Sequence, residues 1–252
     1  MIEIDILNKL NAPTREERLA NLKEILKTTE FPPMVPQYIN NHIHTTYSFS
    51  PYSTTAAVYA ARMEGLCTAG IIDHDSISGA REFLAAAELV GMPVTVGMEC
   101  RVSMDSTAMQ SKRTNNPDQV GVSYMTIQSV PHDKIEMLNA WFAPYRAARG
   151  RRKRAMVEKI NALLPGIALD YDRDVLPLSE AKEDGGVTER HLMYALAKKM
   201  TQKAGKGQPM IDYLASIGLS LSEKQKTQML DTAYPFYEYD LLGILKSAFV
   251  PK

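Results

Sequence analysis

The chain lacks several features that would assign it to a specialised class of protein. Its 252 residues include only 2 cysteines, Cys67 and Cys100, whose separation is not a metal-ligand spacing. Basic and acidic residues balance at 29 each, so the zero net charge offers no bulk attraction for nucleic acid or anionic lipid. No apolar run reaches about 18 residues, the length that a membrane-spanning helix needs. We therefore expect a cytoplasmic protein with reduced thiols, no membrane partner and no specific nucleic-acid partner.

Apolar patterns predict an α/β architecture behind an N-terminal helical segment at 1–36. The short apolar runs YINNHIHT, TAGIIDH and PVTVGMECRV predict three strands. The segments SPYSTTAAVYAARMEG and GAREFLAAAELVG lie between these runs and predict helices. This alternation favours a parallel sheet, either open or closed into a barrel. A further run, VGVSYMTIQSV, predicts a fourth strand.

The remainder of the chain has a different rhythm. From Lys134 to Leu230 the pattern is mostly helical, and LLGILKSAFVPK predicts a helix followed by the start of a strand. We accordingly divide the chain after its N-terminal segment into an α/β barrel portion at 37–133 and a mainly helical insertion at 134–252. We expect this insertion to lead back to the barrel.

Three imidazoles and one carboxylate are placed where the predicted strands end. His42 and His44 are two residues apart, so on a strand they share a face, while His74 and Glu99 end the next two strands. Because the carboxyl ends of parallel strands meet at one edge, we expect these side chains to converge. Mixed nitrogen and oxygen donors suit Zn, Mn or Fe. A satisfied polar histidine or a solvated glutamate explains each residue alone, but not their equivalent positions.

Three motifs, HIHTTYS at 42–48, IIDHDSISG at 71–79 and VGME at 96–99, resemble those of the polymerase and histidinol phosphatase (PHP) family. The resemblance is strong over 38–104 and weaker over 120–200. It implies a distorted seven-stranded β/α barrel, a cluster of two or three divalent metal ions, and hydrolysis of phosphate esters. The metal ligands that it implies are His42, His44, His74 and Glu99, with Glu99 as a bridge between two ions.

The same resemblance implies roles for further residues. Asp73 and Asp75 look like outer carboxylates that orient His74 or its neighbours. The family has an Arg-x-His element before a helix, and here Arg190 directly precedes His191. His191 is thus a fifth candidate ligand, and its alternative is an ordinary first-turn histidine. The residues that we predict to be catalytic are Asp73, Arg101 and Arg190. Both arginines would offset phosphoryl charge, and Arg101 shares the strand face of Glu99.

The chain also departs from the family pattern. Phe49 stands where relatives often have aspartate, the fourth strand lacks a histidine that relatives often have, and no Asp-x-His motif follows His191. The chain is therefore interpreted either as an N-terminal portion of a longer protein or as a degenerate member. The fold class that we predict is α/β, a partial distorted (β/α)7-type barrel with a largely helical insertion.

Two functional hypotheses follow. The first is a metal-dependent phosphoesterase that uses metal-activated water on a small phosphorylated substrate, such as a sugar phosphate, an amino-alcohol phosphate or a nucleotide. The alternative is a non-catalytic or incomplete metal-binding domain that acts as an interaction module. An incomplete barrel should bind metal but hydrolyse phosphate esters poorly, and its exposed strand edges would favour self-association. The basic cluster at 146–159 is either a solvated helix face or a rim for anionic substrate.

Overall fold

The computed structural model describes residues 2–116, 119–164 and 166–249, and the chain divides into two compact units. The sheet unit comprises Met1–Ala147 together with Ser179–Gly186. The helical unit comprises Ala148–Leu178 together with Val187–Lys252. No helix in the described ranges is long and apolar enough to cross a membrane.

Two N-terminal helices begin the sheet unit, as the sequence predicts. They are α1 (Ile4–Leu10) and α2 (Arg15–Leu26), and a capping box between Thr14 and Glu17 fixes the start of α2. Leu10 and Leu22 are fully buried in the core that these helices share with the sheet.

The described strands form one curled, half-barrel sheet in the order β1-β2-β3-β4. Their bounds are β1 (Val35–Ile43), β2 (Leu66–His74), β3 (Val94–Ser103) and β4 (Val122–Ile127). The first three are parallel and are connected by α3 (Thr54–Met63) and α4 (Ala80–Val90), as predicted. These helices cover the sheet with a buried apolar layer that includes Val58, Phe83 and Ala86. The predicted fold class, a partial distorted barrel, is confirmed.

The fourth strand is present as predicted, and its direction, which the sequence left open, is antiparallel to β3. The connection between these strands, residues 104–121, contains no helix in its described part. A parallel return needs a crossover, usually a helix, whereas an antiparallel return does not. The two strands also approach closely at Gly97, where an added Cβ would lie 2.1 Å from the carbonyl oxygen of Ile127.

Beyond the sheet, the chain is helical and its described residues contain no further strand, as predicted. The helices are α5 (Ile135–Leu163), α6 (Glu189–Ala204), α7 (Gln208–Ser216), α8 (Glu223–Leu230) and α9 (Tyr237–Phe249). In the helical unit α6 packs on α9, where the rings of Tyr194 and Tyr239 are 4.8 Å apart. The predicted start of a strand after α9 falls on residues 250–252, outside the described residues.

The basic cluster of α5 is partly internal. Lys153 is 2% exposed and forms an ion pair with Glu189. Arg154 is exposed but pairs with Asp172 at 2.5 Å and lies 4.3 Å above the ring centre of Tyr171. Lys153 and Arg154 of the basic cluster therefore pair with carboxylates of the helical unit. Neither predicted alternative, a solvated helix face or a rim for anionic substrate, included such pairing.

Candidate metal centre

The end of β1 presents two histidines to the same space. The pairing of β1 with β2 is irregular between Asn40 and Ile43, and His44 follows directly after the strand. The Nε2 atoms of His42 and His44 are 3.2 Å apart, and their rings meet edge to face at 5.0 Å. Both side chains are partly exposed, at 45% and 33%, so the pair lies at an accessible edge of the sheet.

Glu99 of β3 lies close to the histidines at the ends of β1 and β2. It lies opposite His74 in the β2–β3 register, and its Oε2 is 3.0 Å from His74 Nδ1. The Nε2 atoms of His42 and His44 are each 3.8 Å from a Glu99 oxygen, and the rings of His44 and His74 stack at 4.6 Å. The hydrogen bond from His74 is the main reason why the pKa of Glu99 lies below its ordinary value, although partial burial opposes this effect.

The donor set fits a divalent metal ion. One ligand atom from each of His42, His44 and Glu99 lies within 4.8 Å of the others. Ligand atoms around a tetrahedral ion with bonds of about 2.0–2.1 Å are roughly 3.3 Å apart, so the observed separations of 3.2 and 3.8 Å are close to this geometry. Imidazole nitrogen with carboxylate oxygen suits Zn, Mn or Fe. The structure thus brings the predicted β1–β3 residues together, and their role as ligands stays a prediction.

Asp73 supports this edge from the interior. Its carboxylate is 1% exposed and accepts hydrogen bonds from the Thr45 amide at 2.7 Å, the Thr45 hydroxyl at 2.6 Å and the Ser48 hydroxyl at 2.6 Å. Ser48 in turn accepts a hydrogen bond from the His74 amide at 2.6 Å. Burial raises the pKa of Asp73, while these hydrogen bonds lower it. These contacts hold the turn after β1 in place, and the catalytic role of Asp73 stays a prediction.

Asp75 contacts β3 through its backbone, unlike Asp73, which uses its carboxylate. It is 5% exposed and has a left-handed conformation with φ of 58°, which aspartate tolerates better than most residues. Its amide donates a 2.8 Å hydrogen bond to the carbonyl oxygen of Glu99. This bond ties the chain after β2 to the middle of β3, at Glu99 itself and next to His74.

Arg101 lies farther along the same face of β3 as Glu99, opposite Tyr124 of β4. Its guanidinium is 5.6 Å from the centre of the Tyr124 ring, and that ring is 5.8 Å from the His74 ring. The Asn115 side chain accepts a 3.0 Å hydrogen bond from the Tyr124 amide and donates a 2.8 Å hydrogen bond to the Tyr124 carbonyl oxygen. Sequence reasoning missed Tyr124, because only the antiparallel register places it opposite Arg101.

Two predicted site residues belong to the helical unit. His191 is fully buried at the start of α6, where its Nδ1 accepts a 2.9 Å hydrogen bond from the Thr188 amide. Thr188 and His191 thus form the capping box of α6, which gives this first-turn histidine a local structural role. Arg190 is exposed beside it. The predicted roles of His191 as a metal ligand and of Arg190 toward phosphate stay predictions.

No family model matches the chain, and no curated protein matches it. Solved structures that are similar in fold include the following two. A protein from Bifidobacterium adolescentis, described as a "putative metal-dependent phosphoesterase", is 25% identical, with a TM-score of 0.53 over 77% of this chain and 58% of that one. An amidohydrolase from Chromobacterium violaceum, with bound sulfate and no metal, is 18% identical, with a TM-score of 0.50 over 77% of this chain and 64% of that one.

The chain therefore spans about three fifths of the length of these structures. Both similar proteins are hydrolases by description, and one of them is described as metal-dependent. The fold of this chain is thus similar to part of the fold of two hydrolases, and its sheet unit carries a candidate histidine and glutamate metal centre.

Proposed function

We propose that the chain is a phosphoesterase of the PHP type, which hydrolyses a small phosphate ester with metal-activated water. The observation that carries the proposal is the convergence of His42, His44 and Glu99 donor atoms within 4.8 Å, where the parallel pairing of β1, β2 and β3 ends. The similarity to the Bifidobacterium adolescentis protein supports a phosphoester substrate. The cofactor would be Zn, Mn or Fe, with two or three ions in a complete site.

We assign a different role to each group of residues in the sheet unit. His42, His44 and Glu99 would hold a divalent ion, and the hydrogen bond from His74 orients the Glu99 carboxylate. An ion at this position supplies a Lewis acid for a phosphoryl oxygen and lowers the pKa of bound water. Arg101 carries positive charge on the same strand face and would bind the phosphoryl group as charge develops.

A second candidate function is metal binding without turnover. The observation that favours it is Phe49, which ends the turn after His44 with φ of 72° and is 9% exposed. Where the resemblance implies an aspartate oxygen in relatives, this chain buries an apolar ring. The site would then hold its ion with fewer oxygen donors and could serve as an interaction module.

Metal-dependent turnover separates the two functions. The chain is stripped of metal with a chelator, titrated with Mn²⁺ or Zn²⁺, and assayed with p-nitrophenyl phosphate. We expect hydrolysis that requires metal and is lost together with metal binding in His44→Ala. The matched control is His132→Ala, since His132 is exposed on the turn before α5. Binding without turnover would support the interaction module, and absence of binding would refute both functions.

A further inference from the structure

An eight-residue segment of the sheet unit, Ser179–Gly186, is separated in sequence from the rest of that unit. We call this segment the strap. It is a closed turn, because the amides of Glu183 and Gly185 donate to the carbonyl oxygen of Glu180 at 2.9 and 2.8 Å. A Cβ added at Gly185 would lie 2.7 Å from that oxygen, so the turn requires glycine there. The strap thus has a defined conformation of its own.

Glu183 of the strap binds the turn that follows β1. The Tyr47 hydroxyl donates a 2.7 Å hydrogen bond to Glu183 Oε2, and Arg15 lies 3.5 Å from the same oxygen. Tyr47 is fully buried in the 3-10 turn Thr46–Ser48, three residues after His44. Burial, and then the bond to Glu183, raise the pKa of Tyr47, so its hydroxyl stays protonated and donates.

The next residue of the strap binds the segment that follows β2. The hydroxyl of Ser76 donates to the carbonyl oxygen of Asp184 at 2.9 Å. Asn139 donates to the Asp184 carboxylate at 3.1 Å, which gives the strap a second hydrogen bond at this residue. The backbone of Gly186 also approaches β2, since a Cβ there would lie 3.5 Å from the carbonyl oxygen of His74. Two adjacent strap residues therefore contact both segments that follow the histidine-bearing strands.

We propose that Glu183 and Asp184 are positioning residues for the candidate metal centre, an inference that rests on the proposed metal binding. The link from Tyr47 to the donors is short. Its neighbour Ser48 accepts from the His74 amide at 2.6 Å and donates to the Asp73 carboxylate that also holds Thr45. A turn released from the strap would leave His44 and His74 less well oriented. An ion would then have to order both segments as it binds, and its affinity would fall.

The test combines affinity with local order in the metal-free protein. Calorimetric titration with Zn²⁺ should give a Kd about 10–100-fold higher in Tyr47→Phe and in Glu183→Ala, the usual range for groups that orient ligands. Glu183→Gln keeps an oxygen acceptor for the Tyr47 hydroxyl and should restore most of the affinity. The double variant Tyr47→Phe with Glu183→Ala should bind no more weakly than either single variant, because both remove the same bond.

The matched control is Tyr237→Phe, which removes only a hydroxyl group that accepts a hydrogen bond from the Gly207 amide in the helical unit. It should lower the melting temperature and leave Zn²⁺ affinity unchanged. Glu183→Ala remains informative if Tyr47→Phe does not fold, because the Glu183 side chain is 35% exposed.

Hydrogen exchange of the metal-free protein gives a readout that needs no ion. The Thr45 and His74 amides should lose protection in Tyr47→Phe and Glu183→Ala, but not in Tyr237→Phe. If the wild-type protein binds no metal, the proposed function fails, and exchange alone then decides whether the strap orders these segments. Wild-type affinity, within about twofold, together with unchanged protection in both Tyr47→Phe and Glu183→Ala would overturn the inference.

Discussion

Replacing Asp73 by alanine should destabilise the sheet unit more than most single substitutions, because it removes the acceptor of three buried hydrogen bonds. Those bonds come from the Thr45 amide, the Thr45 hydroxyl and the Ser48 hydroxyl. Alanine would leave all three donors without the carboxylate in a place where Asp73 itself is 1% exposed. Water has little access there to replace the lost acceptor.

The magnitude follows from the kinds of donor. A hydrogen bond to a charged group contributes about 1.5–3 kcal/mol. The two hydroxyls can rotate toward other acceptors, whereas the Thr45 amide cannot, so we expect a loss on the order of 3–5 kcal/mol in total. That is a large part of the roughly 5–15 kcal/mol by which domains are stable. Asparagine keeps one oxygen for the Thr45 amide and avoids burial of a charge, so Asp73→Asn should cost less than about 2 kcal/mol.

Urea denaturation of the metal-free protein, followed by circular dichroism, measures these differences. The matched control is Asp172→Ala, which removes an exposed carboxylate that is paired with Arg154 in the helical unit. Its transition midpoint should not move, because exposed ion pairs contribute little. The reasoning is refuted if Asp73→Ala costs less than about 1 kcal/mol, or if Asp73→Asn is as damaging as Asp73→Ala.

Two further substitutions test other parts of the sheet unit. Glu82→Ala should lower the free energy of unfolding, measured by urea denaturation, by about 3–5 kcal/mol, because it breaks a buried ion pair with Arg18 at 2.6 Å. The control is Glu24→Ala at an exposed residue, which should leave the free energy of unfolding unchanged. Glu99→Gln tests the pKa of Glu99, which the hydrogen bond from His74 lowers below 4.5 in the folded protein. The ionised Glu99 carboxylate therefore stabilises the fold above pH 4.5, and this stabilisation is lost as the pH falls through the pKa that Glu99 has in the folded protein. The stability gap between the metal-free wild-type protein and this variant should therefore narrow as the pH falls below 4.5, and a constant gap would contradict the assignment.

The sequence predicts the strands and helices well because their signals are local. The apolar runs around His42, His74 and Glu99 are bounded by turn residues, and the helices between them have apolar positions at helical spacing. The direction of β4 has no local signal, since a run such as VSYMTI reads the same in a parallel or an antiparallel pair. Its direction depends on the connection, which must be read as a loop or as a crossover before the strand can be placed.

The residues of the candidate centre also differ in how well the sequence alone predicts them. The proximity of His42, His44 and Glu99 could be predicted because the carboxyl ends of parallel strands meet at one edge of a sheet. The residues that hold them could not be predicted, because the bond from Tyr47 to Glu183 joins positions 136 residues apart and neither side chain belongs to a periodic pattern. Tyr124 was missed for a related reason, since its proximity to His74 depends on the antiparallel register of β4.

Burial separates the donors from the residues that orient them. The side chains of His42 and His44 are 45% and 33% exposed, whereas Asp73 and Tyr47 are 1% and 0% exposed. The imidazoles contact each other and Glu99, and the buried hydrogen bonds hold the backbone of the residues that follow them, so we expect their orientation to depend on both. Those bonds form as the sheet unit folds and need no ion. We therefore expect metal affinity to follow the integrity of the buried layer, so that substitutions far from any donor atom weaken binding while every ligand remains in the chain.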